Sequence, residues 1–158
     1  MITLADATPD DAGAIAGLHA ELTEFYGSEP QGTGDERAAQ VRAVLSGDQP
    51  LARILLARDG ERLAGFACYA FLWPASGLTA SLYLKELYVS GDYRRTGTGK
   101  LLMDGIFRIA AERGCSRVEW TTDTSNEDAQ AFYEALGAKP LTSKIFYRVT
   151  AQDLVTPL

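Results

Sequence analysis

Two strand-forming runs, Ile54 to Arg58 and Leu63 to Trp73, meet across Asp59-Gly60. An Asp-Gly pair tolerates the positive φ angles of a tight hairpin turn, so the two runs are expected to lie antiparallel. A third run of the same character, Leu82 to Val89, extends the hairpin into a three-stranded meander. Everything else in the chain has to be arranged around that antiparallel centre.

Before the meander, Ile2, Leu4 and Ala5 form a short strand, and Thr8-Pro9-Asp10-Asp11 supplies a cap residue and a proline at the first turn of a helix. Ile15, Leu18 and Leu22 continue it with helical spacing. Gly27 to Gly34 reads as a loop, and Glu36 to Leu45 resumes a helical pattern through Ala39, Val41 and Val44. After the meander, a long helix runs from Gly99 to about Arg113. It is apolar on several sides through Leu101, Leu102, Ile106, Phe107 and Ile109, so it should be packed on more than one face. Gly114 stops it. Val118 to Thr121 is a short strand, Ser125-Asn126 caps a helix bearing Ala129, Phe132 and Leu136, Gly137 ends that helix, and Lys144 to Thr150 is the expected closing strand. The class is α/β, mixed, with a mostly antiparallel sheet and about four helices.

Length and charge narrow what such a fold can do. The 158 residues fit one domain over 1–158, without internal repeat or interdomain linker. Apolar residues make up 46% and charged ones 23%, the balance of an ordinary soluble globular domain. A net charge of -6 argues against a broad grip on nucleic acid phosphates, so any anion has to be held locally. Cys68 and Cys115 make neither a disulfide framework nor a metal-ligand pattern, and the expectation is no metal and a reducing compartment. The start of the chain lacks the basic and long apolar regions of a secretory leader, and the apolar stretch Leu63 to Ala75 is too short for a membrane helix. These features predict a cytoplasmic protein with neither membrane nor nucleic acid as partner.

The densest chemical signal is Tyr93-Arg94-Arg95-Thr96-Gly97-Thr98-Gly99-Lys100, placed after a strand and opening a helix. Unsatisfied N–H groups at a helix start favour an anion, glycines allow close backbone approach, and three basic residues add full charge. A pyrophosphate suits that geometry. The Walker spacing is excluded because position 94 is Arg, and the dinucleotide fingerprint because position 102 is Leu. Taken alone, the loop reads equally as a tight strand-to-helix turn with solvated basic residues.

A second motif decides between these. Asn126-x-x-Ala129-x-x-Phe132-Tyr133-x-x-x-Gly137 follows Arg94-x-x-Gly97-x-Gly99 in the expected element context, and together they resemble the GNAT superfamily of N-acetyltransferases. That superfamily has a central, mostly antiparallel twisted sheet and an acetyl-CoA loop written Q/R-x-x-G-x-G/A. Tyr83-Leu84-Lys85-Glu86-Leu87-Tyr88-Val89, with Trp73 upstream, is most similar to the diamine and polyamine acetyltransferase branch. The chain departs from it at Lys85, where that branch usually has the first of two adjacent acids.

The resemblance implies roles residue by residue. The backbone of Leu87, Tyr88 and Val89 would bind the pantetheine arm and stabilise the developing oxyanion; Arg94, Arg95, Thr96, Gly97, Thr98, Gly99 and Lys100 would hold the pyrophosphate. Asn126 would meet the pantetheine amides, although it is also a good helix cap. Phe132 joins this cofactor set. Tyr133 is the candidate general acid for the departing thiolate, since a phenol with a pKa of about 10 stays protonated at neutral pH. The alternative makes Tyr133 part of the helix's packing stripe. Glu86 is the candidate base, but an ammonium and an unperturbed carboxylate differ by roughly six units, so direct transfer would cost about 8 kcal/mol. It would have to act through water, bind the cationic amine or have its pKa raised by burial; a strand-end carboxylate paired with Lys85 or Arg94 is the other reading.

Glu24, Tyr26, Trp73 and Tyr83, with Glu21 and Phe25 beside them, are the candidate acceptor-binding residues, acids attracting an amine and aromatic rings stacking on it; an exposed acidic helix face is the alternative, and the preferred reading for Glu21. The functional expectation is an acyltransferase moving an acetyl group from acetyl-CoA to a primary amine of a small molecule, by direct transfer in a ternary complex, from a homodimer. A protein or peptide amine as acceptor and a non-catalytic CoA-binding regulatory module are the alternatives.

Overall fold

A computed structural model describes residues 1–154. The described chain divides into two units, Met1–Thr121 and Thr122–Leu158.

The first unit holds a five-stranded sheet in the order β1-β2-β3-β4-β5, with β1 Thr3–Asp6, β2 Arg53–Asp59, β3 Arg62–Leu72, β4 Ser81–Val89 and β5 Arg117–Glu119. The first three pairings are antiparallel and β4 with β5 is parallel. The hairpin forms where the Asp-Gly signal puts it: Asp59 faces Arg62, and Gly60 takes a φ of 61°. Helices α1 Ala12–Phe25 and α2 Gly34–Leu45 cover one face of the sheet, burying Ile15, Leu18, Leu22 and Leu45 against Ile54, Leu56, Phe66 and Tyr88. Helix α3 Thr98–Glu112 covers the other, burying Leu102, Met103, Ile106 and Ala110. Its Gly105 lets it settle on Leu55 and Leu4, because a Cβ there would come within 2.6 Å and 2.8 Å of their methyl carbons.

Local chemistry sets the helix ends. Thr33 opens α2 with a capping box, accepting from the Glu36 N–H at 3.2 Å while the Glu36 carboxylate accepts from the Thr33 N–H at 2.7 Å. Ahead of α1, the Asp11 carboxylate accepts from the Thr8 N–H at 2.8 Å and pairs with Arg58 of β2. Burial opposes ionisation of Asp11, yet the Thr8 N–H and the Arg58 guanidinium more than offset it and hold its carboxyl below the usual carboxylate range.

The second unit contains α4 Glu127–Ala135 and a four-residue turn of helix, α5 Ala151–Leu154. Asn126 caps α4, its side chain accepting from the Ala129 N–H at 3.1 Å. The expected closing strand from Lys144 to Thr150 is not formed. That segment joins no sheet among the described residues and leaves Ile145, Phe146, Tyr147 and Val149 exposed. Alternating β-branched and aromatic residues favour a pleated, half-buried surface only where a neighbouring strand supplies one, and among its described residues this unit contains no strand.

Candidate active site

The pairing of β4 shapes the site. It runs beside β5 only from Ser81 to Tyr83, so from Leu84 to Val89 it pairs with β3 alone. Over that stretch the backbone of Leu87, Tyr88 and Val89 carries ladder partners on one side only. The strand then leads through a short turn, Gly91–Tyr93, into the glycine loop and α3.

Within the loop, Gly97 takes a φ of 87° and Arg95 a φ of 59°, so two closely spaced residues lie in the left-handed region. The Thr96 hydroxyl donates to the Tyr93 carbonyl at 2.6 Å and lies 2.8 Å from the buried Thr98 hydroxyl, which fixes the turn. The first intrahelical bond of α3 runs from the Leu101 N–H to the Gly97 carbonyl at 2.9 Å. The amides of Thr98, Gly99 and Lys100 therefore lie outside the helix ladder. A Cβ on Gly97 would meet nothing within 4 Å, so the space above this turn is open. Open space, unladdered amides and a left-handed glycine form a cradle that fits a diphosphate.

The basic residues of the loop divide in an unexpected way. Lys100 is paired with Asp104 at 2.6 Å, one turn along α3. Arg94 is turned toward the sheet: its Nε donates to the Val89 carbonyl at 3.2 Å, its guanidinium donates to the Tyr88 hydroxyl at 3.1 Å, and it lies 4.2 Å from the centre of the Phe25 ring. Arg95 alone of the three has no side-chain partner among the described residues. Phe25, the last residue of α1 and expected from the sequence at the acceptor pocket, instead carries the Arg94 guanidinium; its spacing on the helix gives no sign of that stack, which depends on tertiary packing.

Glu86 lies half-buried on β4, opposite Cys68 of β3. Burial raises its carboxyl above the ordinary Glu value, with His19 of α1 and Lys85 opposing the shift. Nearby, the Ser90 hydroxyl donates to the Glu21 carboxylate at 3.2 Å. Burial and the neighbouring Glu21 push the Tyr88 phenol up. This end of β4 thus has one carboxylate of raised basicity, Glu86, and another, Glu21, held by the Ser90 hydroxyl that follows the strand.

The proposed acceptor residues are not gathered into one cluster. Glu24 and Tyr26 sit at the exposed end of α1, with the Tyr26 ring 5.3 Å from Phe25 in an edge arrangement. Tyr83 shares a sheet face with Glu86. Trp73 lies beyond the rung where Leu72 meets Ser81, about 16 Å along β4 from Glu86 at ordinary strand rise. Its indole N–H bonds within its own loop, to the Leu78 carbonyl at 2.9 Å. In the second unit, Asn126 begins α4, and Phe132 and Tyr133 lie side by side, half-buried, with ring centres 5.2 Å apart.

Among the described residues, no group of three or more His, Cys, Asp or Glu side chains could hold a metal, and no helix is long and apolar enough to cross a membrane.

Comparison with known proteins bears directly on this geometry. A family model described as the acetyltransferase (GNAT) family matches residues 15–138, a span that includes β4, the glycine loop and α4. Thialysine N-epsilon-acetyltransferase of Bos taurus is 28% identical over 150 residues, covering 90% of this chain and 86% of that protein. Aminoglycoside N(6')-acetyltransferase type 1 of Serratia marcescens is 29% identical over 124 residues, covering 77% and 84% respectively. An integron cassette protein from the mobile metagenome of V. cholerae superposes with a TM-score of 0.89 at 26% identity, covering 98% of this chain and 95% of that one.

Proposed function

Because the chain belongs to the GNAT family of acetyltransferases and is an N-acetyltransferase enzyme, we propose that it transfers the acetyl group of acetyl-CoA directly to a primary amine of a small molecule. The observation that carries the cofactor assignment is the cradle at the start of α3, where Gly97 leaves open space above three unladdered amides. Small-molecule acceptors are supported by the relatives, whose names specify thialysine and aminoglycoside substrates.

Acetyl-CoA supplies an acyl group activated as a thioester. The amides of Thr98, Gly99 and Lys100 hold its diphosphate, with Arg95, whose side chain has no partner among the described residues, adding a full charge. The backbone of Leu87 to Val89 orients the pantetheine arm and donates an N–H to the thioester oxygen, where negative charge develops. Asn126 and Phe132 belong to the same cofactor set. Glu86 receives the amine proton through water. Its raised basicity narrows the roughly six-unit gap to an ammonium, while the minor neutral-amine population provides the nucleophile. Tyr133 donates the proton that the departing thiolate takes up. Glu24, Tyr26, Tyr83 and Trp73 contribute to acceptor binding. The protein works in the cytoplasm, as a homodimer.

The test is thiol release from acetyl-CoA in the presence of a panel of polyamines, amino acids, aminoglycosides and aryl amines. Turnover with at least one small amine is expected. Turnover confined to peptide amines would move the acceptor to proteins, and tight CoA binding without turnover would leave a regulatory module.

A further inference from the structure

Strand β4 contains an irregularity that bears on which amines the enzyme accepts. Cys68 of β3 faces Glu86, but the next residue, Tyr69, faces Leu84, so Lys85 has no partner on β3 and forms a bulge. The register then fixes which way the neighbouring side chains stand. Tyr83 lies opposite Ala70 and Glu86 opposite Cys68, two β3 positions of the same parity, on the face that α1 covers. Tyr88 lies opposite Phe66, which packs in the same core. Tyr83, Glu86 and Tyr88 therefore stand on the α1 face, with Lys85 at the bulge between Tyr83 and Glu86.

In a regular strand, adjacent Lys85 and Glu86 would point to opposite faces. The bulge breaks that alternation at Lys85, so the ammonium-bearing residue and the carboxylate sit next to each other at an irregular turn of the strand, between two tyrosines. The charge of Lys85 is felt at the Glu86 carboxyl, where it favours the ionised form against burial. Among the described residues neither enters an ion pair, although the Glu86 carboxylate also meets the Leu87 N–H and the charge of His19. Lys85 is exposed and Glu86 half-buried, so a ligand can reach both.

We propose that Lys85 and Glu86 form a two-point recognition element that selects acceptors carrying a carboxylate as well as an amine, that is, amino acids in preference to diamines and polyamines. The inference rests on the acetyltransferase reading above and names the substrate class for that site. Glu86 faces the amine and Lys85 the carboxylate. A zwitterion complements the pair, whereas a diamine, cationic at both ends, brings its second ammonium against that of Lys85. Selection thus has an attractive and a repulsive component, as specific sites generally do. The flexible stem of Lys85 lets its charge follow ligands of different length.

The experiment compares acceptors that differ only by the carboxylate: L-ornithine against putrescine, and L-lysine against cadaverine, with L-lysine methyl ester as a third arm. Wild-type kcat/KM is expected to favour each acid over its diamine, with the ester falling toward the diamine. In Lys85→Met the preference should shrink by roughly 10- to 100-fold, chiefly through a higher KM for the acid, as expected for loss of a charged hydrogen bond. Lys85→Glu should invert it. Unchanged acetyl-CoA affinity in both variants confirms that they fold. Equal or greater wild-type activity on the diamines, or a preference that survives Lys85→Met, overturns the proposal while leaving the acetyltransferase reading intact. Absence of thiol release with every acceptor overturns both.

Discussion

Gly65→Ala is a one-methyl change whose effect can be worked out from the packing of β3 on the functional end of β4. Gly65 faces Val89, and a Cβ built on it would lie 2.6 Å from the Tyr88 carbonyl oxygen, 3.2 Å from a Leu102 methyl and 3.3 Å from the Val89 Cα. The shortest of these is to backbone, which cannot swing aside as a side chain would. Ordinary contact begins near 3.4 Å, so the strands must part locally by about 0.8 Å. Overpacking of this kind costs about 1–3 kcal/mol. At ~2–4 °C per kcal/mol for a domain of this size, the melting temperature should drop by roughly 2–12 °C. The displaced residues are those that meet Arg94: Val89 accepts from its Nε and Tyr88 from its guanidinium. A shift approaching 1 Å there should also lower kcat/KM by about tenfold or more, beyond what reduced stability explains. Differential scanning calorimetry and steady-state thiol release on the purified variant measure the two effects. Gly17→Ala is the control: it lies in α1 with nothing within 4 Å of its would-be Cβ, and should gain up to about 1 kcal/mol. If Gly65→Ala melted and turned over like wild type, the close approach of β3 to β4 would not be the constraint described.

Other expectations follow from single residues. Tyr133→Phe keeps the ring and removes the proton donor, so kcat should fall by a factor of about 100 to 10,000 where chemistry limits the rate, with acetyl-CoA affinity unchanged; near-wild-type kcat under that condition would make Tyr133 a packing residue. Gly97→Val puts a branched side chain into the open space of the cradle at a φ of 87°, and calorimetric titration should show acetyl-CoA affinity reduced about tenfold or more in a variant that remains folded. Unchanged affinity would remove the loop from the site. Arg58→Met deprives Asp11 of its ion-pair partner, and urea unfolding at pH 7 should show a loss of roughly 1–3 kcal/mol. Because the folded pKa of Asp11 is depressed, this contribution is present above the ordinary carboxylate range and fades as pH falls through the folded value. The two proteins should therefore converge in stability in acid, and a constant difference down to low pH would contradict the pairing.

The parts of this molecule governed by neighbours in sequence were legible before the structure. The Asp59-Gly60 hairpin, the cap at Asn126, and the order of strands and helices up to α4 all rest on turn chemistry and short-range periodicity. Element ends shifted by a residue or two, as where β5 spans Arg117–Glu119 rather than Val118 to Thr121. Lys144 to Thr150 failed for the opposite reason: its pattern fits a strand, but a strand exists only with a partner, which local sequence does not specify. In the candidate site, the glycine loop was readable because Gly97 answers a local backbone demand, a left-handed φ of 87° at the turn into α3. The engagement of Arg94 with Phe25 and Tyr88 was not, since it joins residues far apart in sequence. The bulge lies between these cases. Apolar Leu82 and Leu84 are followed by Leu87 and Val89, so the alternation slips by one at Lys85-Glu86. The signal was present, and the paired strand gave it meaning.

Mass spectrometry of both protein and small molecules, after incubation with acetyl-CoA with and without an acceptor amine, tests direct transfer most directly. The account predicts an unmodified protein in both samples, with the acetylated amine and free CoA appearing together only when the acceptor is present. An acetylated protein that forms without acceptor and is discharged by the amine would contradict it, as would binding of acetyl-CoA that never yields an acetylated amine.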